Sequence, residues 1–276
     1  TMNIITKKQL KNIYKIGILV IMITILTASS FIEDKKTTQT TSSNNVSNNK
    51  KIGWGISRNK MHEQPDVGKE NREILEKNNG ICLGNKGKKY LYLTFDEGYE
   101  AGYTSKILDT LKENKVPATF FITAHYVNTE PELVERMIKE GHIVGNHTVN
   151  HKCLPEISDE EIKKEVMQLH QAIYENFNYE MKYIRPPKGE FSERSLQTTN
   201  SLGYKNVMWS FAYQDWNEKK QPSEEEAKRK IIENFHNGEI ILLHGNSKTN
   251  TNVLDTIIKE ARNMGYEFKS LDQFEN

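Results

Sequence analysis

Cysteine is nearly absent from this chain: of 276 residues only Cys82 and Cys153 are cysteine. Two are too few for a disulfide scaffold, so a hydrophobic core must carry the fold. Both thiols are expected to be buried and free, with one bridge as the alternative. A glycine-rich phosphate loop of the kind that opens nucleotide sites is missing, and no internal repeat is visible. A surplus of charge is missing too, with 38 Lys and Arg against 37 Asp and Glu. Residues 1–50 hold seven lysines against Glu33 and Asp34, about +5, which leaves about −4 for the rest. A mildly acidic globular part has no attraction for a polyanion, so nucleic acid is not an expected partner. Long apolar runs are absent except for one, Ile16 to Leu26.

That one run has a context. Lys7, Lys8, Lys11 and Lys15 precede it, and Thr27-Ala28-Ser29-Ser30-Phe31-Ile32 follow. A basic stretch before a short apolar one is the pattern of an export signal. Counted to Ile32, the run reaches the minimum length for a spanning helix. Residues 1–32 are expected to be a signal peptide or a retained membrane anchor with its basic end inside. The anchor is favoured, because no small-x-small cleavage site follows. Residues 33–51, rich in Thr, Ser, Asn and Lys, bury too little to offset their ordering entropy and read as a disordered polar tether. The tether would hold an exported domain off a membrane, in the wall space.

Residues 52–89 are poorly periodic and read as a lead-in packed on a domain of residues 90–276, with a short helix at Asn71–Lys77. From Lys89 the punctuation is regular. Strands are expected at Tyr90–Phe95, Ala118–Thr123, His142–Gly145, Tyr183–Pro187, Tyr204–Trp209, Glu239–His244 and Tyr266–Leu271. Helices are expected between them, at Ser105–Asn114, after Thr129, from Ser158 to about Asn176, at Ser192–Leu202, from Ser223 to Phe235, and at Val253–Met264. Thr129-Glu130-Pro131-Glu132, Ser158-Asp159-Glu160-Glu161 and Ser223-Glu224-Glu225-Glu226 read as capping boxes. The alternation is that of an α/β fold with a mostly parallel sheet. Seven strands suffice for a distorted, incomplete (β/α)7 barrel; a flat doubly wound sheet is the alternative.

The chemistry-bearing residues sit at or just past the ends of these strands, where barrel enzymes gather their catalytic groups. Asp96-Glu97-Gly98 follows the first strand. Adjacent strand residues face opposite ways, but a backbone loosened by Gly98 could turn both acids toward one rim pocket. His147 and His151 are spaced to share one side of a helical turn, a common grip on a divalent metal. Asn146 and Asn150 are placed to support them. Arg185 precedes a sharp turn at Pro186-Pro187-Lys188-Gly189 and would keep a nearby carboxylate charged. Asp215-Trp216 follows the fifth strand, and His244 ends the apolar strand Ile240–Leu243. Asp215 beside His244 would keep the imidazole protonated. A metal, a base for water and an acid for the leaving group together suit metal-assisted hydrolysis.

In order and spacing, Thr94-Phe95-Asp96-Glu97-Gly98, His147-Thr148-Val149-Asn150-His151, Arg185-Pro186-Pro187-Lys188-Gly189, Asp215-Trp216 and Leu242-Leu243-His244 resemble the motifs of the polysaccharide deacetylases of the NodB-homology type, carbohydrate esterase family 4. The resemblance runs from about Trp54 to Phe274. Asp96-Glu97-Gly98-Tyr99-Glu100 with Gly102-Tyr103-Thr104, Trp54-Gly55 and Trp209-Ser210-Phe211-Ala212 are similar to a narrower branch. That branch deacetylates muramic acid whose stem peptide has been cut away, on the route to muramic δ-lactam in spore cortex peptidoglycan.

The resemblance implies the NodB-homology fold and a set of roles. Asp96 would be the general base, oriented by Arg185. His244 would be the general acid, oriented by Asp215. Glu97, His147 and His151 would hold a divalent metal, usually zinc. Trp216, Pro187 and Leu242 would contact substrate, and a backbone N–H near Tyr126 or Asn128 would meet the oxyanion. Two departures stand out. Many family members have Asp, and the lactam branch often Asn, where this chain has Glu97; direct binding with a weakened grip is the expectation, with binding through water or no binding as the alternatives. The first acid of the family's DxxDW motif is Ala212 here. Implied partners are peptidoglycan glycan strands, an upstream N-acetylmuramoyl-L-alanine amidase, and a membrane through the N-terminal segment. The alternatives are a deacetylase of N-acetylglucosamine or of another glycan, or an inactive wall-binding module, against which Asp96 and His244 both argue.

Overall fold

The computed structural model describes residues 48–276; the expected export segment and most of the expected tether lie outside the described residues. In chain order the elements begin with β1 (Ile52–Gly53), α1 (Lys69–Lys77), β2 (Tyr90–Glu97), α2 (Thr104–Asn114), β3 (Ala118–Ile122), α3 (Ala124–Thr129), α4 (Pro131–Lys139) and β4 (Ile143–Asn146). There follow α5 (Asp159–Phe177), β5 (Tyr183–Ile184), β6 (Glu190–Phe191), α6 (Glu193–Ser201), β7 (Lys205–Asn206), α7 (Glu224–Ile232), β8 (Glu239–His244), α8 (Lys248–Asn263) and β9 (Glu267–Phe268).

Seven strands form one parallel sheet in the order β7-β5-β4-β3-β2-β8, with β9 on the start of β2. A parallel sheet covered on both faces reads as a continuous apolar run, and Leu91 to Phe95 on β2 are all buried. The period of two sorts these residues. Leu91, Leu93 and Phe95 pack with Ile107, Leu111 and Ile257 of the surrounding helices. Tyr92 faces the other way, into an inner cluster with Phe121, Tyr183 and Ile240. The sheet is curled into an incomplete barrel with helices outside.

The edges β7 and β8 do not pair directly. Ile81 donates to Asn206 O and accepts from Met208 N, both at 2.8 Å, while Gly84 N donates to Gly238 O at 2.8 Å. Ser210 N reaches Ile240 O at 3.0 Å, and Leu242 N reaches Phe211 O at 2.8 Å. The lead-in residues 81–84 and the stretch 207–211 thus span the opening. A side chain at Gly238, which has φ 71°, would stand 2.4 Å from the Gly84 carbonyl carbon.

Several expected elements shift. The strand expected at Tyr183–Pro187 keeps two residues, because Pro186 and Pro187 have no N–H to donate. The strands expected at Tyr204–Trp209 and Tyr266–Leu271 also shrink to two. Ser158 does close a capping box on α5. Thr129 does not cap α4: it is the last residue of α3, and its hydroxyl donates back to His125 O at 3.2 Å. Ser223 accepts from Glu226 N at the start of α7. α8 starts a turn earlier than expected, capped by Ser247. Cys82 and Cys153 are free and buried. No helix among the described residues is long and apolar enough to cross a membrane.

Candidate active site

The C-terminal ends of β2, β4, β5 and β8 converge on one rim, and the side chains there line a cavity of about 430 Å³. That size lies within the usual range for a small-molecule site. Asp96, His147, His151 and His244 form its polar side, and Trp209, Tyr213, Trp216 and Leu242 its apolar side.

Asp96 shares the parity of Tyr92 and Thr94 and so faces inward from β2. Its Oδ1 accepts from Arg185 Nη1 at 2.8 Å. Arg185 has no exposed surface. Its Nη1 also donates to Thr94 Oγ1 at 2.8 Å, its Nε to Val207 O at 3.1 Å, and its guanidinium lies 4.3 Å from the Phe121 ring centroid. The arginine therefore has one geometry, and it presents a fixed cation to Asp96. Burial pushes the Asp96 carboxyl up, but its neighbours, Arg185 foremost, outweigh it and hold the group below the usual carboxylate range.

His147 follows β4, and its Nδ1 donates to Arg185 O at 2.8 Å. That bond leaves the Nε2 lone pair free, directed at His151 Nε2 3.2 Å away. Asp96 Oδ2 lies 3.6 Å from His147 Nε2. Burial pushes both imidazoles down, His151 to about 4, so both are neutral. The pair is not on a helical turn, as the spacing suggested. Thr148 at φ 68° and His151 at φ 54° bend the chain instead. Thr148 N is tied to Asn146 Oδ1 at 2.8 Å, and Asn150 N and Nδ2 to the two Glu165 oxygens, both at 2.7 Å.

His244 ends β8. Its Nδ1 lies 2.7 Å from Asp215 Oδ1, and its backbone N donates to Asp215 Oδ2 at 2.9 Å. Asp215 is wholly buried, and Asn250 Nδ2 on α8 also donates to its Oδ2, at 2.6 Å. The Asn250 Oδ1 accepts from the Tyr213 hydroxyl. Burial pushes His244 down, but Asp215 outweighs it and raises the imidazole above its usual value. One wall thus carries a carboxylate whose proton affinity is lowered and an imidazole whose proton affinity is raised, the separation that an acid–base pair requires. Trp216 is about half exposed at 51%, and its ring lies 5.9 Å from that of His244.

Four expected site residues stand elsewhere. Glu97 is still within β2, paired with Ile122 of β3, so the period of two turns it away from Asp96. Its carboxyl is buried on the helix side, and neither oxygen has a hydrogen-bond partner. A Cβ at Gly245 would stand 1.9 Å from its Oε1. Burial, then Glu100 and Asp96, push it well above the usual carboxylate range. It does not join His147 and His151. Tyr126 is buried in α3, with its N–H capped by Thr123 Oγ1 and its hydroxyl on Glu100 at 3.0 Å, so it offers no oxyanion donor. Asn128 is exposed on the same helix. Pro187 is buried beneath the loop, and Lys188 and Gly189 line the cavity in its place. Asn250 and Lys188 were not anticipated. Asn250 follows His244 by six residues, with no motif around it.

Among the described residues, no three His, Cys, Asp or Glu side chains form a ready metal cage. Two neutral imidazole nitrogens do fit two positions on one ion. Ligands at ~2.0–2.1 Å on a tetrahedral zinc stand roughly 3.3 Å apart, close to the separation of these two nitrogens.

The polysaccharide deacetylase family pattern matches residues 83–207. The chain is 42% identical over 225 residues to peptidoglycan-N-acetylmuramic acid deacetylase PdaA of Bacillus subtilis, covering 81% of this chain and 86% of that protein. The solved structure of PdaA, described as a family 4 carbohydrate esterase, superposes with a TM-score of 0.80 at 41% identity, covering 82% of this chain and 97% of that one. A peptidoglycan-N-acetylglucosamine deacetylase of Bacillus cereus is 33% identical over 189 residues, 67% of this chain and 88% of that protein.

Proposed function

Because this chain belongs to the polysaccharide deacetylase family, we propose that it removes the N-acetyl group from peptidoglycan N-acetylmuramic acid that has lost its stem peptide. In this reading it acts on the route to muramic δ-lactam in spore cortex. The observation that carries the chemistry is the pairing of Asp96 with His244 at the mouth of one cavity. The similarity to a muramic acid deacetylase over most of both chains supports the substrate.

The step is hydrolysis of an amide. Water adds to the acetyl carbonyl carbon and gives its proton to Asp96, which Arg185 keeps anionic and aimed. The tetrahedral adduct collapses with cleavage of the C–N bond. His244 donates its proton to the departing nitrogen, leaving acetate and a free amine. Asp215 holds the imidazole by Nδ1, which leaves Nε2 to face the cavity. Trp216 and Leu242 wall the sugar. Base and acid each contribute typically ~10²–10⁴-fold.

The family works with a metal, and His147 and His151 would hold it; two imidazoles with open positions suit zinc. When bound, a divalent metal supplies Lewis acidity to the scissile carbonyl and acidifies water. Glu97 has no part in this grip.

Export belongs to the same reading. Residues 1–32 would anchor the chain or direct it outward, and the polar stretch after them would let the domain reach fixed glycan strands. An N-acetylmuramoyl-L-alanine amidase would act first, to clear the stem peptide. Acetate release by the full chain with zinc, from amidase-stripped and from intact peptidoglycan, tests this order. Release confined to the stripped glycan is expected; equal release from both would move the chain to the general wall deacetylases.

A further inference from the structure

Lys188 has a backbone that few residues other than glycine adopt, φ 60° and ψ 7°. Its surroundings do not let it relax. Pro186, Pro187 and Gly189 on either side are buried. Gly189 O accepts from Trp54 N at 2.8 Å, Gly189 N donates to Pro186 O at 3.1 Å, and the Trp209 indole sits where a Cβ on Gly189 would be. A braced turn thus holds one exposed side chain outward in a strained conformation, and strain of this kind gathers at functional sites.

That side chain lines the catalytic cavity. Among the described residues, Lys188 is the one lysine or arginine that does so. It makes no ion pair there. The acid nearest in influence, Glu156, is bonded to Lys51 at 2.7 Å. The cavity therefore holds a lysine charge with no ion-pair partner among the described residues. A substrate anion would answer it.

The substrate proposed above has such an anion. Muramic acid bears a lactyl ether at the ring position next to the acetamido group. With the stem peptide in place, the lactyl carboxyl is a neutral amide. With the peptide removed it is a free carboxylate, and N-acetylglucosamine has no such group. We propose that Lys188 pairs with the free lactyl carboxylate and so selects peptide-stripped muramic acid. The inference rests on the muramic acid reading.

The test uses the full chain, loaded with zinc, on amidase-stripped glycan and on the same glycan with its lactyl carboxyls converted to methylamides. The ratio of the two kcat/KM values is the readout. The wild type should prefer the carboxylate form by about tenfold, the scale of one charge-assisted hydrogen bond. Lys188→Met should bring the ratio to about one, and Lys188→Glu should invert it. Lys188→Arg should retain it, and added salt should shrink it in the wild type alone. A ratio unchanged in Lys188→Met, or a wild type indifferent to the methylamide, would overturn the inference while leaving the muramic acid reading in place. If the wild type released no acetate from stripped glycan yet acted on chitooligosaccharides, the reading itself would fall, and this inference with it.

Discussion

Asp96 on β2 and His244 on β8 are direct register partners in adjacent parallel strands. Their side chains leave the same face of the sheet one strand spacing apart, roughly 4.8 Å. The proposed base and acid are thus placed by backbone pairing, and only their charge states depend on neighbours. Those neighbours, Arg185 for the one and Asp215 for the other, are both fully buried.

Asp215→Asn should remove the charge that raises His244. As the proposed acid the imidazole must be protonated, so its loss of proton affinity moves the alkaline limb of the pH–rate profile to lower pH. kcat should fall by ~10²–10⁴-fold with a smaller change in KM. A pH profile of kcat for both proteins checks this; an unmoved alkaline limb would dissociate Asp215 from His244.

Arg185→Met should act on the opposite limb. Asp96 is held down by Arg185 first among its neighbours, and works only when ionised. Without the cation its carboxyl rises, and the acidic limb moves to higher pH. Leaving a buried charge without its partner also destabilises the fold, by on the order of 3–5 kcal/mol. The pH profile and a thermal midpoint measure the two effects separately.

Glu97 should prove dispensable for metal. Its carboxyl is turned to the helix side, where burial favours the protonated form, so Glu97→Gln preserves the shape of that form. Elemental analysis should find the metal content of Glu97→Gln equal to wild type and that of His147→Ala and His151→Ala at background. Metal loss in Glu97→Gln would show that the carboxyl swings into the site.

Glu165 should matter although it never reaches the cavity. Both its oxygens bind Asn150, and its carbonyl accepts from Val149 N at 3.1 Å, so it pins the bend that brings His151 to His147. Glu165→Ala should weaken metal affinity by about 10–100-fold, the usual effect of losing a group that orients ligands. Isothermal titration with zinc measures it.

Much of this site was legible before the structure, and the reasons are specific. The apolar run of β2 and the apolar run of β8 announced two buried parallel strands, so residues at their ends could be placed on one rim. Asp96 and His244 were placed this way, His147, Arg185 and Asp215 by the order and spacing of motifs that resemble the family's, and the structure brings all five together. What failed was the end of β2. Glu97 was expected to turn into the site because Gly98 follows it, but pairing with Ile122 extends the strand through Glu97 and keeps the alternation. The histidine spacing pointed to two residues that do meet, but two left-handed residues and not a helical turn bring them together. Pro187 was misplaced because neighbouring residues share a loop but not a direction, and Tyr126 because α3 stands where a loop was expected. Asn250 carried no local signal, since it depends on where α8 starts; the turn at Lys188 was expected, but its aim into the cavity depends on bracing by Trp54 and Trp209, which are distant in sequence.

The central claim is that the acetyl group leaves muramic acid. It is tested most directly by mass spectrometry of glycan fragments from amidase-stripped peptidoglycan treated with the zinc-loaded full chain, with fragmentation to assign each acetyl loss to one sugar. The account predicts loss on muramic acid residues and none on glucosamine. Loss on glucosamine, with muramic acid left intact, would contradict it.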